Sequence, residues 1–222
     1  MQASDTECFC SWSGGKDSCL ALHRSIKAGM RPSVLLTMLT EEGRRSRSHG
    51  LTVDVLQAQA ASMGLRLVTK ATSWDDYERN FLEEARKLRA EGVSAGVFGD
   101  IDLTQHRDWV EDVCSRAGVD AELPLWNVSR DELLEELVSQ GFKAIVVSVK
   151  DGILGKRWLG RTLDRNMIAV FKSGDIDPSG EAGEYHTCVV DGPLFSRPIK
   201  LEQGDSTLRD GYWFLDLSVL ED

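Results

Sequence analysis

The sequence predicts an α/β protein: a parallel sheet covered by helices on both faces, followed by a smaller α+β subdomain. Three observations carry that reading. Short apolar runs alternate with helix-period segments from the first residues onward, and glycines stand where those segments must stop. Beyond Pro124-Leu125-Trp126 the rhythm loosens.

Glu7–Trp12 reads as a short buried strand, and Ser18–Lys27 as a helix whose apolar residues keep helical spacing up to Gly29. Ser33–Thr40 is a second strand. Val53–Met63 is a helix ending at Gly64, Leu65–Lys70 a strand, and Asp75–Ala90, rich in Glu, Arg, Lys and Leu, a helix closed by Gly92. Ala95–Gly99, Arg107–Ala117 and Ala121–Trp126 continue as strand, helix and strand, which makes the series β-α-β-α-β-α-β-α-β. Arg130–Ser139 is then an amphipathic helix, Lys143–Val149 a Val/Ile-rich strand and Arg161–Lys172 a helix. Residues 173–183 form a loop dense in Gly, Asp and Glu, and strands and turns fill the rest. Two domains are expected, 1–127 and 128–222.

A chain of 222 residues with 41% hydrophobic and 28% charged residues can bury a core and does not read as disordered or low-complexity. Its net charge of −10 opposes general binding to phosphate backbones, so nucleic acid is not an expected partner. No apolar run reaches the roughly 18–20 residues of a membrane span, and Met1-Gln2-Ala3-Ser4-Asp5 lacks the charge and apolar stretch of a leader. A cytoplasmic protein without a membrane partner is expected. Cys8, Cys10, Cys19, Cys114 and Cys188 form no Cys-x-x-Cys pair and read as reduced thiols, Cys8 and Cys10 packing on one side of a strand.

Ser13-Gly14-Gly15-Lys16-Asp17-Ser18 stands where the first strand turns into the first helix. In an open parallel sheet this is the ligand crevice, because a helix N-terminus offers unpaired N–H groups and partial positive charge to an anion. Gly14 and Gly15 let the backbone approach a phosphate, Lys16 adds charge, and the Ser13 and Ser18 hydroxyls add donors. Phosphate repels Asp17, so its carboxylate makes sense as a ligand of a magnesium ion that bridges to the phosphates. The spacing excludes the Walker loop and the dinucleotide fingerprint. A tight Gly-Gly turn with an incidental lysine is the competing reading, weakened by the flanking strand and helix.

The hexapeptide resembles the PP-loop of the N-type ATP pyrophosphatases, which cut ATP between its α and β phosphates. That resemblance implies an adenine nucleotide α-hydrolase-like sheet of order 3-2-1-4-5, with Gly99 and Asp100 beside the loop at the end of the fourth strand. Ser48-His49-Gly50, Val97-Phe98-Gly99-Asp100-Ile101, Pro124-Leu125-Trp126, Gly180-Glu181-Ala182-Gly183-Glu184-Tyr185-His186-Thr187 and Asp191-Gly192-Pro193-Leu194-Phe195 extend the similarity to the diphthine–ammonia ligase family over nearly the whole chain. The resemblance implies an AMP-forming amide ligase that adenylates a carboxylate and amidates it with ammonia. Its cofactors would be ATP and Mg2+. Ser13, Gly14, Gly15, Lys16, Asp17, Ser18, His49, Gly99 and Asp100 would bind the nucleotide, and Asp17 the metal. His186 and Ser179 depart from the usual Glu and Cys of archaeal and eukaryotic members, and His186 resembles the bacterial branch. The acceptor is then either diphthine on elongation factor two or a small-molecule carboxylate, for instance in corrinoid metabolism, and a homodimer stays open.

Gly180 and Gly183 allow sharp turns that bring Glu181 and Glu184 to a ligand, and His186 is the side chain suited to exchanging protons near neutral pH. Lys16, Asp17, Glu181, Glu184 and His186 are therefore the candidate catalytic residues, the last three handling acceptor and amine. An acidic solvated loop is the plainer alternative. Arg44, Arg45 and Arg47 form a basic loop suited either to pyrophosphate or to plain solvation. A PP-loop enzyme that modifies tRNA, disfavoured by the acidic charge, and a non-catalytic adenine-nucleotide sensor are the alternative functions.

Overall fold

The computed structural model describes residues 6–220. Met1–Asp5, the stretch lacking leader features, lie outside the described residues. In chain order the elements are β1 (Glu7–Ser11), α1 (Lys16–Lys27), β2 (Arg31–Leu39), α2 (Val53–Met63), β3 (Arg66–Ala71), α3 (Tyr77–Ala90), β4 (Ala95–Val97) and α4 (Thr104–Ala117). They continue with β5 (Asp120–Glu122), α5 (Arg130–Ser139), β6 (Lys143–Lys150), α6 (Arg165–Ser173), β7 (Tyr185–Asp191), β8 (Leu201–Arg209) and β9 (Tyr212–Val219). The chain forms two compact units. One holds residues up to Ser13, Asp17–Arg47 and Gly64–Val128; the other holds Gly14–Lys16, Ser48–Met63 and everything from Ser129.

The first unit carries a parallel sheet in the order β3-β2-β1-β4-β5, as expected. Its central strand explains the early cysteines: Cys8, Phe9 and Cys10 are fully buried because a parallel strand is covered on both faces. Phe9 meets Phe81 and Phe98 edge-on at 6.1 Å each. The α3 residues Phe81, Ala85 and Leu88 supply the apolar stripe over this core. Gly118, at φ 75°, closes α4, where the N–H of Val119 returns to the Cys114 carbonyl.

The second unit carries an antiparallel sheet in the order β7-β6-β9-β8. Tyr185 of β7 packs its ring against Phe171 of α6, with centroids 5.5 Å apart. Helix α2 lies against β9, and Gly50 sits so close to Phe214 that a Cβ there would fall 2.6 Å from the ring. Ser129 caps α5 by accepting the Glu132 N–H, and Asp164 caps α6 by accepting that of Met167.

Most boundaries shift by one to three residues from the expected ones, and three of the differences bear on the site or the second sheet. The fifth strand stops at Glu122, because Pro124 has no N–H for a ladder and Trp126 turns back onto the Leu123 carbonyl. The fourth stops at Val97, just short of Gly99. The last helix begins at Arg165 rather than Arg161, because residues 160–163 are spent pairing with β6: Val146 donates to the Arg161 carbonyl and Leu163 to that of Ala144.

Candidate active site

Between β1 and α1 the chain turns through the Ser-Gly-Gly-Lys segment. In the first unit, the Ser13 and Ser18 hydroxyls lie 3.0 Å apart at the start of α1. Gly99, just past β4, lies against the same helix start: a Cβ on it would fall 2.8 Å from the Asp17 carbonyl carbon and the Ser18 nitrogen. Asp100 follows, with the His106 Nδ1 at 3.1 Å. Burial raises the Asp100 carboxyl above its ordinary range, His106 opposes that shift, and the Asp17 charge adds to it. The structure thus brings Ser13, Asp17, Ser18, Gly99 and Asp100 together.

In the second unit, Gly14–Lys16 lie along the free edge of β7. The Gly14 carbonyl accepts the Val189 N–H at 2.9 Å, and the Lys16 N–H donates to Thr187 Oγ1 at 3.0 Å. Gln59, fully buried in α2, donates its Nε2 to the carbonyls of Gly14 at 2.9 Å and Val189 at 2.8 Å. Both glycines are sterically required. A Cβ on Gly14, whose φ is 81°, would fall 2.5 Å from Leu51 Cδ1, and one on Gly15 would fall 2.2 Å from His49 Cε1. Lys16 is buried and pairs with Glu181 Oε1 at 3.3 Å.

The acidic block is anchored from behind. Gly180 and Gly183 adopt φ of 75° and 82°, which turns the chain around Glu181. The Glu181 N–H donates to Asp177 Oδ2 at 3.2 Å, and Arg130 holds the same oxygen at 2.5 Å. Burial works against the Asp177 charge, but the Ser179 hydroxyl and N–H, together with Arg130 and the Glu181 N–H, outweigh it and lower the carboxyl below its usual range.

His186 lies beside His49, ring centroids 4.7 Å apart. His49 Nδ1 is 2.8 Å from the Thr187 carbonyl, which can only accept, so that nitrogen carries the proton. Burial, reinforced by His49 and Lys16, pushes His186 down to about 3. In this desolvated setting the unprotonated imidazole is favoured, which argues against the neutral-pH proton exchange expected of His186. Glu184 is buried, and its Oε2 has no hydrogen-bond partner among the described residues.

Sequence reasoning overlooked Gln59, an ordinary helix residue in an alanine-rich stretch, and the Arg130–Asp177 anchor. It gave Thr187 no role, although Thr187 closes the Gly-Glu-x-Gly-Glu block. Of the basic loop, Arg47 is spent locally: its guanidinium lies 4.1 Å from the Trp74 ring centroid and donates to the Thr72 carbonyl.

A parallel sheet of this order with Ser-Gly-Gly-Lys-Asp-Ser after its first strand defines a PP-loop ATP-binding protein. The comparisons specify which one. The model of the diphthamide synthase N-terminal domain matches residues 7–121, that of the C-terminal domain matches residues 129–220, and the chain belongs to the diphthamide synthase family. The diphthine–ammonia ligase of Schizosaccharomyces pombe is 29% identical over 214 residues, covering 85% of this chain and 35% of its own length. That of Mus musculus is 28% identical over 238 residues, covering 94% and 87%. The chain thus spans about a third of the yeast relative. Among solved structures, a chain described as a predicted tRNA methyltransferase subunit from Methanocaldococcus jannaschii is similar at TM-score 0.46 and 16% identity, covering 85% of this chain and 98% of its own. No described helix is long and apolar enough to cross a membrane.

Proposed function

We propose that the protein amidates a carboxylate with ammonia, splitting ATP into AMP and pyrophosphate. The observation that most supports this reading is the Lys16–Glu181 pair, which links the phosphate-loop lysine to the acidic block within one compact unit.

Ser13, Gly14, Gly15, Lys16 and Ser18 bind the phosphates through N–H groups, hydroxyls and the Lys16 ammonium. Asp17 and Asp100 would hold a magnesium ion: the desolvated Asp100 is further penalised by the Asp17 charge, which a cation would relieve, and one or two carboxylates beside substrate phosphates suit Mg2+. Bound there, it would neutralise charge on the departing pyrophosphate. An acceptor carboxylate oxygen attacks the α-phosphorus and the bond to the bridging β-oxygen breaks. Ammonia then attacks the acyl carbon, the C–O bond to AMP breaks, and the nitrogen sheds a proton. Holding the reactants in line and stabilising phosphate charge supply the rate.

Glu181 and Glu184 serve the acceptor and amine side. The acceptor is diphthine, as the relatives' name suggests, carried on elongation factor two, or a small carboxylate. Mass spectrometry after incubation with ATP, magnesium and ammonium, with each acceptor class supplied separately, tests the reading. A carboxylate-to-amide mass change accompanied by AMP supports it, and ATP hydrolysis with no acceptor converted to an amide opposes it.

A further inference from the structure

Resting on the amidation reading above, we infer that Glu184, Ser148 and His186 form an ammonium subsite on one face of the second sheet. Two buried polar atoms point to it. Ser148 is fully buried and Glu184 is 8% exposed, and neither Ser148 Oγ nor Glu184 Oε2 has a hydrogen-bond partner among the described residues. Buried polar atoms are almost always bonded, so each such exception calls for an explanation.

The register places them together. The Tyr185 ring packs against Phe171, so strand alternation sends His186 to the opposite face, and the ladder runs one residue beyond β7, where the Lys150 N–H donates to the Glu184 carbonyl at 2.9 Å and sets Glu184 on the His186 side. Ser148 of β6 stands directly across from His186 of β7, which puts both side chains on one face. The His186 ring, 6.2 Å from that of Tyr212, and the His49 ring over His186 mark the same face.

The chemistry selects the ligand. Ammonium is a compact cation with four N–H donors and no acceptor. The face offers a carboxylate oxygen, a hydroxyl oxygen and, because burial keeps His186 unprotonated, an imidazole nitrogen. A phosphate or carboxylate would be repelled by Glu184. The neighbouring residue on β7, Thr187, accepts the Lys16 N–H, so the subsite lies one strand position from the phosphate loop.

The test uses the full chain and separates the two Michaelis constants. Ser148→Ala should raise the ammonium KM about tenfold, the loss of one hydrogen bond, and Glu184→Gln should raise it further, with the ATP KM unchanged in both. An unmoved ammonium KM in folded variants overturns the subsite while leaving the amidation reading intact. Independently, crystals of the unaltered protein soaked in thallium(I), which mimics ammonium, should show an anomalous peak beside Glu184 Oε2. A soak with no peak there overturns the subsite even if the variants fail to fold. Absence of ammonia-dependent AMP formation in the unaltered enzyme would instead remove the amidation reading, and the thallium result would then decide whether a cation site exists.

Discussion

Gln59 offers the sharpest test of how the phosphate loop is held. Its Nε2 bridges the carbonyls of Gly14 and Val189, tying the loop to β7 from inside α2. Gln59→Leu keeps a side chain of similar volume and removes both donated bonds. Each lost hydrogen bond is worth about 1 kcal/mol net, and a buried carbonyl left short adds up to about 1–3 kcal/mol. Gly14 keeps its bond from the Val189 N–H, so its share falls at the low end. The total is about 2–3 kcal/mol, a fall in Tm of roughly 5–10 °C for a protein of this size. Activity should suffer more than stability, because a small displacement of aligned groups costs up to about 100-fold in rate. Assayed well below the variant's Tm, kcat/KM for ATP should fall about ten- to a hundredfold. Gln59→Glu should be worse on both counts, since it sets a carboxylate against two carbonyl oxygens. A Gln59→Leu protein with the parent's Tm and ATP kinetics would mean that Gln59 does not hold the loop.

Three further predictions follow from the packing and electrostatics. Gly15→Ala should destabilise by about 1–3 kcal/mol through overpacking against His49, and adding His49→Ala should recover part of that loss, a coupling that thermal melts of the double-mutant cycle would read. His186 takes up a proton near 6.5 when unfolded but only near 3 in the fold, so the unfolded chain binds more protons between those values and stability falls as pH drops through that window; denaturant titrations of His186→Gln should show a shallower fall. Asp177 is depressed in the fold, so its contribution is present above about pH 4 and is lost as pH falls through its folded value; the Tm gap between the parent and Asp177→Asn should therefore narrow on acidification below that point.

The alternation of β1 to β5 with α1 to α4 was legible because each element carries its own period and its own stop, as at Gly29, Gly64 and Gly92. The strand order came through the resemblance carried by the phosphate loop. What stayed illegible depends on partners distant in sequence. Gly14–Lys16 dock on β7 through Thr187 and Val189, more than 170 residues away, and no local pattern announces that pairing. Gln59 matters only because α2 faces the Gly14 carbonyl. Ser148 reads as one more residue of a buried Val/Ile strand until the register sets it opposite His186. The state of His186 belongs to the same class: histidine invites a neutral-pH role, and only the packing of His49 and its other neighbours removes it. The helix expected from Arg161 begins only at Arg165, because pairing of residues 160–163 with β6 overrides the local preference.

On the proposed function, the phosphate loop directs cleavage of ATP between the α and β phosphates. ATP labelled at the α-phosphate, incubated with magnesium, ammonium and a converted acceptor, should send its label to AMP alongside unlabelled pyrophosphate, and a folded Lys16→Ala protein should release neither. Label recovered in ADP with free orthophosphate, or undiminished AMP release by Lys16→Ala, would contradict it.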